Sequence, residues 1–136
     1  MPTEIYFILQ TLLSLVLGGL VGWQRERWGK SAGSRTYALV AAGSTLFTIL
    51  SLNAFSSNPS QVAAQIVTGI GFLGAGSILH RENKIEGLTT AAGLWIVAAI
   101  GMAVALQYYL LSVVGTLLVL LVLFIDSEKW IQNRYK

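Results

Sequence analysis

The chain has 136 residues, 54% of them hydrophobic and only 11% charged, whereas an average soluble domain has about 25% charged residues; the composition predicts a membrane protein. Cysteine is absent and His80 is the single histidine, which excludes disulfides, thiolate metal sites and a cage of several histidines within one chain. The net charge of +3 fits the basic cytoplasmic loops of a membrane protein, and we do not expect nucleic acid as a partner.

Five apolar runs follow one another along the chain, each near the length of about 20 residues that crosses a bilayer. We expect helices over residues 5–23, 37–55, 62–79, 88–106 and 109–125. The links after the second and fourth runs are short, so those pairs of helices should be antiparallel hairpins. The prediction is an all-α polytopic membrane protein in which residues 1–136 form a single transmembrane domain of five helices.

The basic residues predict the orientation of these helices. All nine lysines and arginines lie between the first and second runs, between the third and fourth, or after the fifth. With five spans these three segments share one side of the membrane. Because basic loops face the cytoplasm, the N-terminus is expected outside and the C-terminus inside.

The first helix carries a regular pattern of small residues. Gly18, Gly22 and Glu26 recur every four residues and so lie on one helical face. Gly18-x-x-x-Gly22 is the pattern that lets helix backbones approach closely in lipid. Glu26 would lie on that face at the inner membrane border, either as an interface charge paired with Arg25 or Arg27, or as part of a site.

The third run ends in a glycine-rich stretch, GIGFLGAGSIL, over residues 69–79. Its glycines are Gly69, Gly71, Gly74 and Gly76. Because each glycine costs about 1 kcal/mol against alanine inside a helix, the stretch indicates either close helix contact or a local break whose backbone groups line a polar site. Its GxGxxG spacing lacks the preceding strand that a dinucleotide site needs, so we do not expect nucleotide binding.

Polar residues gather at the predicted cytoplasmic ends of the first four helices. The set comprises Gln24, Arg25, Glu26, Arg35, Thr36, Ser77, Thr89 and Thr90. Two interpretations stay open: helix caps and loop charges that meet water, or a shared site for a ligand or ion. Under the second interpretation, Glu26 pairs with Arg25 or Arg35, because the planar guanidinium suits a carboxylate, and the two threonines complete the cluster.

Four motifs resemble those of the MgtC/SapB family of bacterial inner-membrane proteins. They read GWQRE at residues 22–26, AGSRT at 32–36, GIGFLGAG at 69–76 and GLTTAA at 87–92. The resemblance extends over residues 18–104, and the last two motifs are long and specific. The chain departs from the family pattern at Gln24, where the family has glutamate, and at Ser34, where it has leucine.

The resemblance implies a protein of the bacterial inner membrane that works in magnesium homeostasis and adaptation to low magnesium. Longer members carry a soluble C-terminal domain for which this sequence has no counterpart, so the transmembrane domain alone is expected. The preferred mechanism is regulation of another membrane complex through small-residue helix faces. The alternative is a transporter or channel for an ion or small solute, with its site at the cytoplasmic ends of helices 1–4.

The partners that we expect are the lipid bilayer, a second copy of the chain and another membrane protein complex. Glycine faces favour a homo-oligomer, most simply a two-fold dimer. We expect no enzymatic activity and no cofactor, because the sequence lacks a GxxxxGK[ST] phosphate loop and an evident set of nucleophile, base and acid.

Overall fold

The computed structural model describes residues 2–55 and 57–125 of the chain. Five α-helices follow one another in sequence. They are α1 (Pro2–Arg27), α2 (Ser34–Ala54), α3 (Pro59–Gly76), α4 (Leu88–Ala105) and α5 (Tyr109–Phe124). The five predicted helices are thus present, and α1 continues past the predicted end at residue 23 by one further turn.

A β-hairpin between α3 and α4 was not predicted from the sequence. Strands β1 (Leu79–Arg81) and β2 (Lys84–Glu86) pair antiparallel. The third helix, expected to reach residue 79, ends at Gly76 instead. A contact within the last turn caps the helix. The Ser77 hydroxyl donates to the Gly74 carbonyl at 2.7 Å and so satisfies one of the acceptors that a helix leaves free at its C-terminus.

Three helices, α1, α2 and α4, are long and apolar enough to cross a membrane. Helix α5 is apolar but has 16 residues, and α3 has 18 residues that include Gln61, Gln65 and Thr68. The expected five spans therefore stay a prediction.

Helices α1, α2 and α4 form the centre of the bundle around the buried side chains of Val21, Tyr37 and Val97. A Cβ atom on Gly18 would lie 2.6 Å from the Tyr37 carbonyl oxygen, and one on Gly22 would lie 2.6 Å from the Gly33 carbonyl oxygen. These distances are shorter than van der Waals contact. Only glycine allows α1 to approach α2 this closely.

Hydroxyl groups join α2 to α4 inside the bundle. Ser44 donates to the Ala98 carbonyl at 2.6 Å, and Thr45 donates to the Gly101 carbonyl at 2.8 Å. These bonds satisfy polar side chains that would be costly to bury in an apolar environment without partners. They also explain why the second apolar run tolerates so many serines and threonines.

The described segments that carry basic residues lie at one end of the bundle, which we call the basic end. The end of α1 contacts the start of α2 through Glu26 and Ser34, and it contacts the end of α5 through Gln24 and Leu123. The backbone at Gly87, before α4, lies against the carbonyl of Ser77, after α3. All five helices therefore have one terminus at this end, as an antiparallel arrangement requires.

Candidate functional site at the basic end

Arg25, in the last turn of α1, is buried at the basic end with 5% of its surface exposed. Its Nη2 atom donates to the Thr90 hydroxyl at 3.2 Å. The Tyr37 hydroxyl lies beside the guanidinium and donates to the Thr90 carbonyl at 3.2 Å. These three side chains connect α1, α2 and α4 at a single point.

The charge of Arg25 has no counter-charge within the part of the chain that the structure describes. Its Nε atom is buried without a hydrogen-bond partner, and no described carboxylate forms an ion pair with the guanidinium. Burial of an unpaired charge is costly, because the charge loses its hydration without gaining an opposite charge. Arg25 is therefore an energetically unusual feature of this structure.

Gln24 joins α1 to α5 beside Arg25. Its Nε2 atom donates to the Leu123 carbonyl at 2.9 Å, while its buried Oε1 atom has no hydrogen-bond partner among the described residues. An ionised glutamate could not make this bond, because a carboxylate only accepts hydrogen bonds. The glutamine at this position, where the family pattern has glutamate, is thus used as a donor.

Glu26 forms no ion pair with a described arginine, in contrast to the prediction. Its carboxylate is exposed and accepts hydrogen bonds from the Ser34 hydroxyl at 2.6 Å and the Ser34 backbone amide at 3.1 Å. Arg35 interacts with it electrostatically, but the described residues include no ion pair between Glu26 and either Arg25 or Arg35. Adjacent residues of a helix do not face each other, so Arg25 turns towards α4 while Glu26 turns towards α2.

The other predicted site residues are separate from Arg25. Arg35, Thr36 and Thr89 are exposed, and Ser77 bonds to the backbone of its own helix. Of the eight predicted site residues, Arg25 and Thr90 are in contact in the structure. Gln24 precedes Arg25 in the sequence and contacts α5. Glu26 forms a different contact, at the first turn of α2.

Tyr37 is the residue of this site that the sequence analysis missed. Its ring is buried, and a Cβ atom on Gly93 of α4 would lie 2.5 Å from its hydroxyl oxygen. The signal was the spacing Thr90-x-x-Gly93, which places a gap beside Thr90 on one face of α4. Nothing in the sequence shows that a tyrosine of α2 occupies the gap.

The groups at the site set its chemistry. Arg25 offers a positive charge and a buried Nε donor, whereas the donors of Gln24 and Tyr37 are used by backbone carbonyls; Mg²⁺ prefers carboxylate oxygens and retained water. Across residues 2–55 and 57–125, no three histidine, cysteine, aspartate or glutamate side chains come together as a metal site needs. The arrangement suits an anion better than a cation.

A second candidate surface lies on α3, away from Arg25. A groove of about 730 Å³ separates α3 from α2, and its lining includes Gly43, Gln61, Gln65 and Gly69. Cβ atoms on Gly69, Gly71 or Gly76 would meet nothing within 4 Å, whereas one on Gly74 would be 3.4 Å from the Ala91 Cβ atom. Of the four predicted packing glycines of α3, Gly74 is the one where an added Cβ atom would meet another helix among the described residues.

Comparison with known proteins identifies one family and several relatives. The model of the MgtC family matches residues 11–129. An Escherichia coli K12 protein named "Putative magnesium transporter YhiD" is 44% identical over 126 residues, which cover 86% of this chain and 59% of that protein. "Protein MgtC" of Salmonella typhimurium LT2 is 41% identical over 114 residues, which cover 84% of this chain and 49% of that protein.

A further relative, an uncharacterized protein of Haemophilus influenzae, is 34% identical over 146 residues, with 98% of this chain and 61% of that protein covered. The chain therefore spans about half to three fifths of the length of the curated relatives it matches. No solved structure matches it significantly.

Proposed function

The chain belongs to the MgtC family, and from this premise we propose that it acts in magnesium homeostasis as a non-enzymatic regulator that binds another membrane protein. The relatives named for magnesium transport and MgtC support a role linked to magnesium. We place the protein in the bacterial inner membrane.

The open face of α3 is the observation that carries the regulatory mechanism. Gly69, Gly71 and Gly76 leave the backbone uncovered, and the Phe72 side chain among them is 83% exposed. Gln61 and Gln65 are exposed on the same helix. In lipid, small residues let a second helix approach, and glutamine side chains hydrogen bond across helices, so this face suits a transmembrane partner.

The same face supports a homodimer. A two-fold interface must be complementary to itself, and a glutamine side chain both donates and accepts hydrogen bonds, so Gln65 can pair with its own copy. The dimer and the complex with another protein are separate outcomes of one cross-linking experiment.

Cross-linking tests the proposed docking face directly. The chain has no cysteine, so Gly69→Cys introduces a single site for a photoactivatable maleimide, and Leu117→Cys, on an exposed position of α5, is the matched control. In cells limited for magnesium we expect Gly69→Cys to give adducts with a second membrane protein, identified by mass spectrometry, and Leu117→Cys to give none. Equal labelling at both positions would contradict a docking face on α3.

Transport is the alternative function, and the groove between α2 and α3 is the feature that favours it. Its lining includes the polar side chains of Ser44, Asn58, Gln61 and Gln65, which could line a path for a hydrated solute. Liposomes that contain only this protein and an internal Mg²⁺ indicator separate the two mechanisms. If the protein is a regulator, liposomes that contain it take up no more Mg²⁺ than empty vesicles do. Mg²⁺ uptake that is abolished by Gly43→Phe in the groove would instead show that the protein is a transporter.

A further inference from the structure

We propose that the basic end binds a phosphate-class oxyanion between the first-turn amides of α4 and the guanidinium of Arg25. The inference goes beyond the regulatory function, since it holds whether the protein regulates or transports. The anion could be the phosphate of a lipid headgroup or free inorganic phosphate, because both present the same tetrahedral oxygens.

The N-terminus of α4 supplies the first half of the site. The helix has 18 residues and starts at Leu88 after Gly87, and no side chain caps it. Its first internal bond runs from the Ala91 amide to the Gly87 carbonyl at 2.8 Å, so the amides of residues 88–90 are the free donors of the first turn. A helix N-terminus carries about half a positive charge and is suited to phosphate.

Arg25 supplies the second, independent half. It is 95% buried, since 5% of its surface is exposed, and its Nη2 atom contacts the hydroxyl of Thr90, the third residue of α4. Because helical side chains tilt towards the N-terminus, this contact places the guanidinium beside the free amides. Its Nε atom lacks a hydrogen-bond partner in residues 2–55 and 57–125.

The described acidic groups near this point do not neutralise the charge of Arg25. Glu26 is held by Ser34 on α2, and Glu86, two residues before α4, is exposed and does not cap the helix. Tyr37 contributes a hydroxyl whose proton is directed to the Thr90 carbonyl. Among the described residues, two positive groups therefore meet without an anion.

A phosphate oxyanion fits this donor set better than a small halide does. Its oxygens can accept from several amides at once, and the planar fork of arginine binds phosphate through two parallel hydrogen bonds. Leu88 and Thr89 are exposed, so an anion can reach the first-turn amides from outside, and the guanidinium held at Thr90 forms the inner wall of the site.

Thermal unfolding of the full chain in a neutral detergent tests the proposal. We expect the melting midpoint to rise with inorganic phosphate at constant ionic strength set by chloride, or with short-chain phosphatidylglycerol relative to phosphatidylcholine of the same chain length. If the melting midpoint rises with phosphate alone, the ligand is the free anion. If it rises with phosphatidylglycerol alone, the ligand is the lipid headgroup, and if it rises with both, the site binds either form of phosphate. No rise with either overturns the site.

Variants connect the response to Arg25. We expect Arg25→Gln to raise the half-saturating concentration at least about tenfold, because a charge-assisted hydrogen bond is lost. Arg27→Gln is the matched control, since Arg27 lies in the same turn but is exposed over the Trp23 ring at 4.7 Å, and it should keep the wild-type response. An equal response in both variants would mean an adventitious ion only and would overturn the proposal.

A further variant keeps the test decisive if Arg25→Gln does not fold. Thr90→Val keeps the side-chain shape and removes the hydroxyl that positions the guanidinium, so its response should also weaken; a wild-type response in Thr90→Val would overturn the site.

Asp126 and Glu128 are the acids in the sequence beyond the described residues. If they neutralise Arg25 instead, the wild type gives no response and the Asp126→Asn/Glu128→Gln variant gains one, which also overturns the proposal.

Discussion

At the scale of single residues, Gln24 shows how one atom decides whether a substitution is tolerated. Its amide nitrogen donates to the Leu123 carbonyl at 2.9 Å, and an ionised glutamate would place a negative oxygen against that carbonyl. We therefore expect Gln24→Glu to lower the free energy of unfolding by about 1–3 kcal/mol, the cost of leaving a buried polar group unsatisfied.

Denaturation of the purified protein in detergent measures the effect of Gln24→Glu. Gln24→Met is the control, because it keeps the side-chain length while removing both the donor and the unpartnered Oε1 atom. It should be less destabilising than Gln24→Glu. The reverse order of the two variants would show that the bond to Leu123 does not matter for stability.

Glu26 leads to the opposite expectation. A carboxylate paired with a buried arginine would be essential for stability, but Glu26 is exposed and accepts from the hydroxyl and amide of Ser34. The side-chain carbonyl of glutamine can accept both bonds. We expect Glu26→Gln to melt within a few degrees of the wild type and to support growth of a magnesium-sensitive strain at low magnesium.

Ser34→Ala is the companion variant for Glu26, since it removes one of the two donors and should also have a small effect. A large drop in the melting midpoint of Glu26→Gln alone would show that the negative charge itself is required. Such a drop would support the predicted pairing of Glu26 with arginine.

At the scale of helices, the glycines divide into two groups with opposite expected effects. A Cβ atom on Gly18 would lie 2.6 Å from the Tyr37 carbonyl oxygen of α2, whereas one on Gly43 would meet nothing within 4 Å. We expect Gly18→Ala to destabilise the protein by about 1–3 kcal/mol, because α1 must move away from α2. Gly43→Ala should stabilise it by up to about 1 kcal/mol through helix propensity.

The pair of alanine variants tests packing with the same chemical change at both positions. Thermal unfolding in one detergent gives the two midpoints directly. Equal midpoints would mean that the α1–α2 contact adjusts without cost, and that the spacing of Gly18 and Gly22 has no role in stability.

At the scale of the whole molecule, the basic end predicts the orientation in the membrane. The connections that contain residues 28–33 and 79–86 lie at that end, together with one terminus of each of the five helices. Because basic loops face the cytoplasm, a reporter active only in the cytoplasm should give signal when fused after Lys136. Signal from an N-terminal fusion together with silence at the C-terminus would reverse the predicted orientation.

The sequence by itself determined the features that depend on local physics. An apolar run of about 20 residues predicts a membrane-spanning helix, and the five helices lie within a few residues of the predicted ranges. The spacing of Gly18, Gly22 and Glu26 follows from the period of the α-helix, so all three residues lie on the face of α1 that is turned towards α2. The family motifs were equally readable, because they are continuous in sequence.

Tertiary structure decided which residues meet. Arg25 and Thr90 are separated by 65 residues in sequence, and their contact depends on how α1 and α4 rotate and slide against each other. Helical periodicity specifies the face of a helix but not the neighbour that covers it. For that reason the arginine expected beside Glu26 contacts a threonine of α4, while a Cβ atom on three of the four glycines of α3 would meet nothing within 4 Å among the described residues.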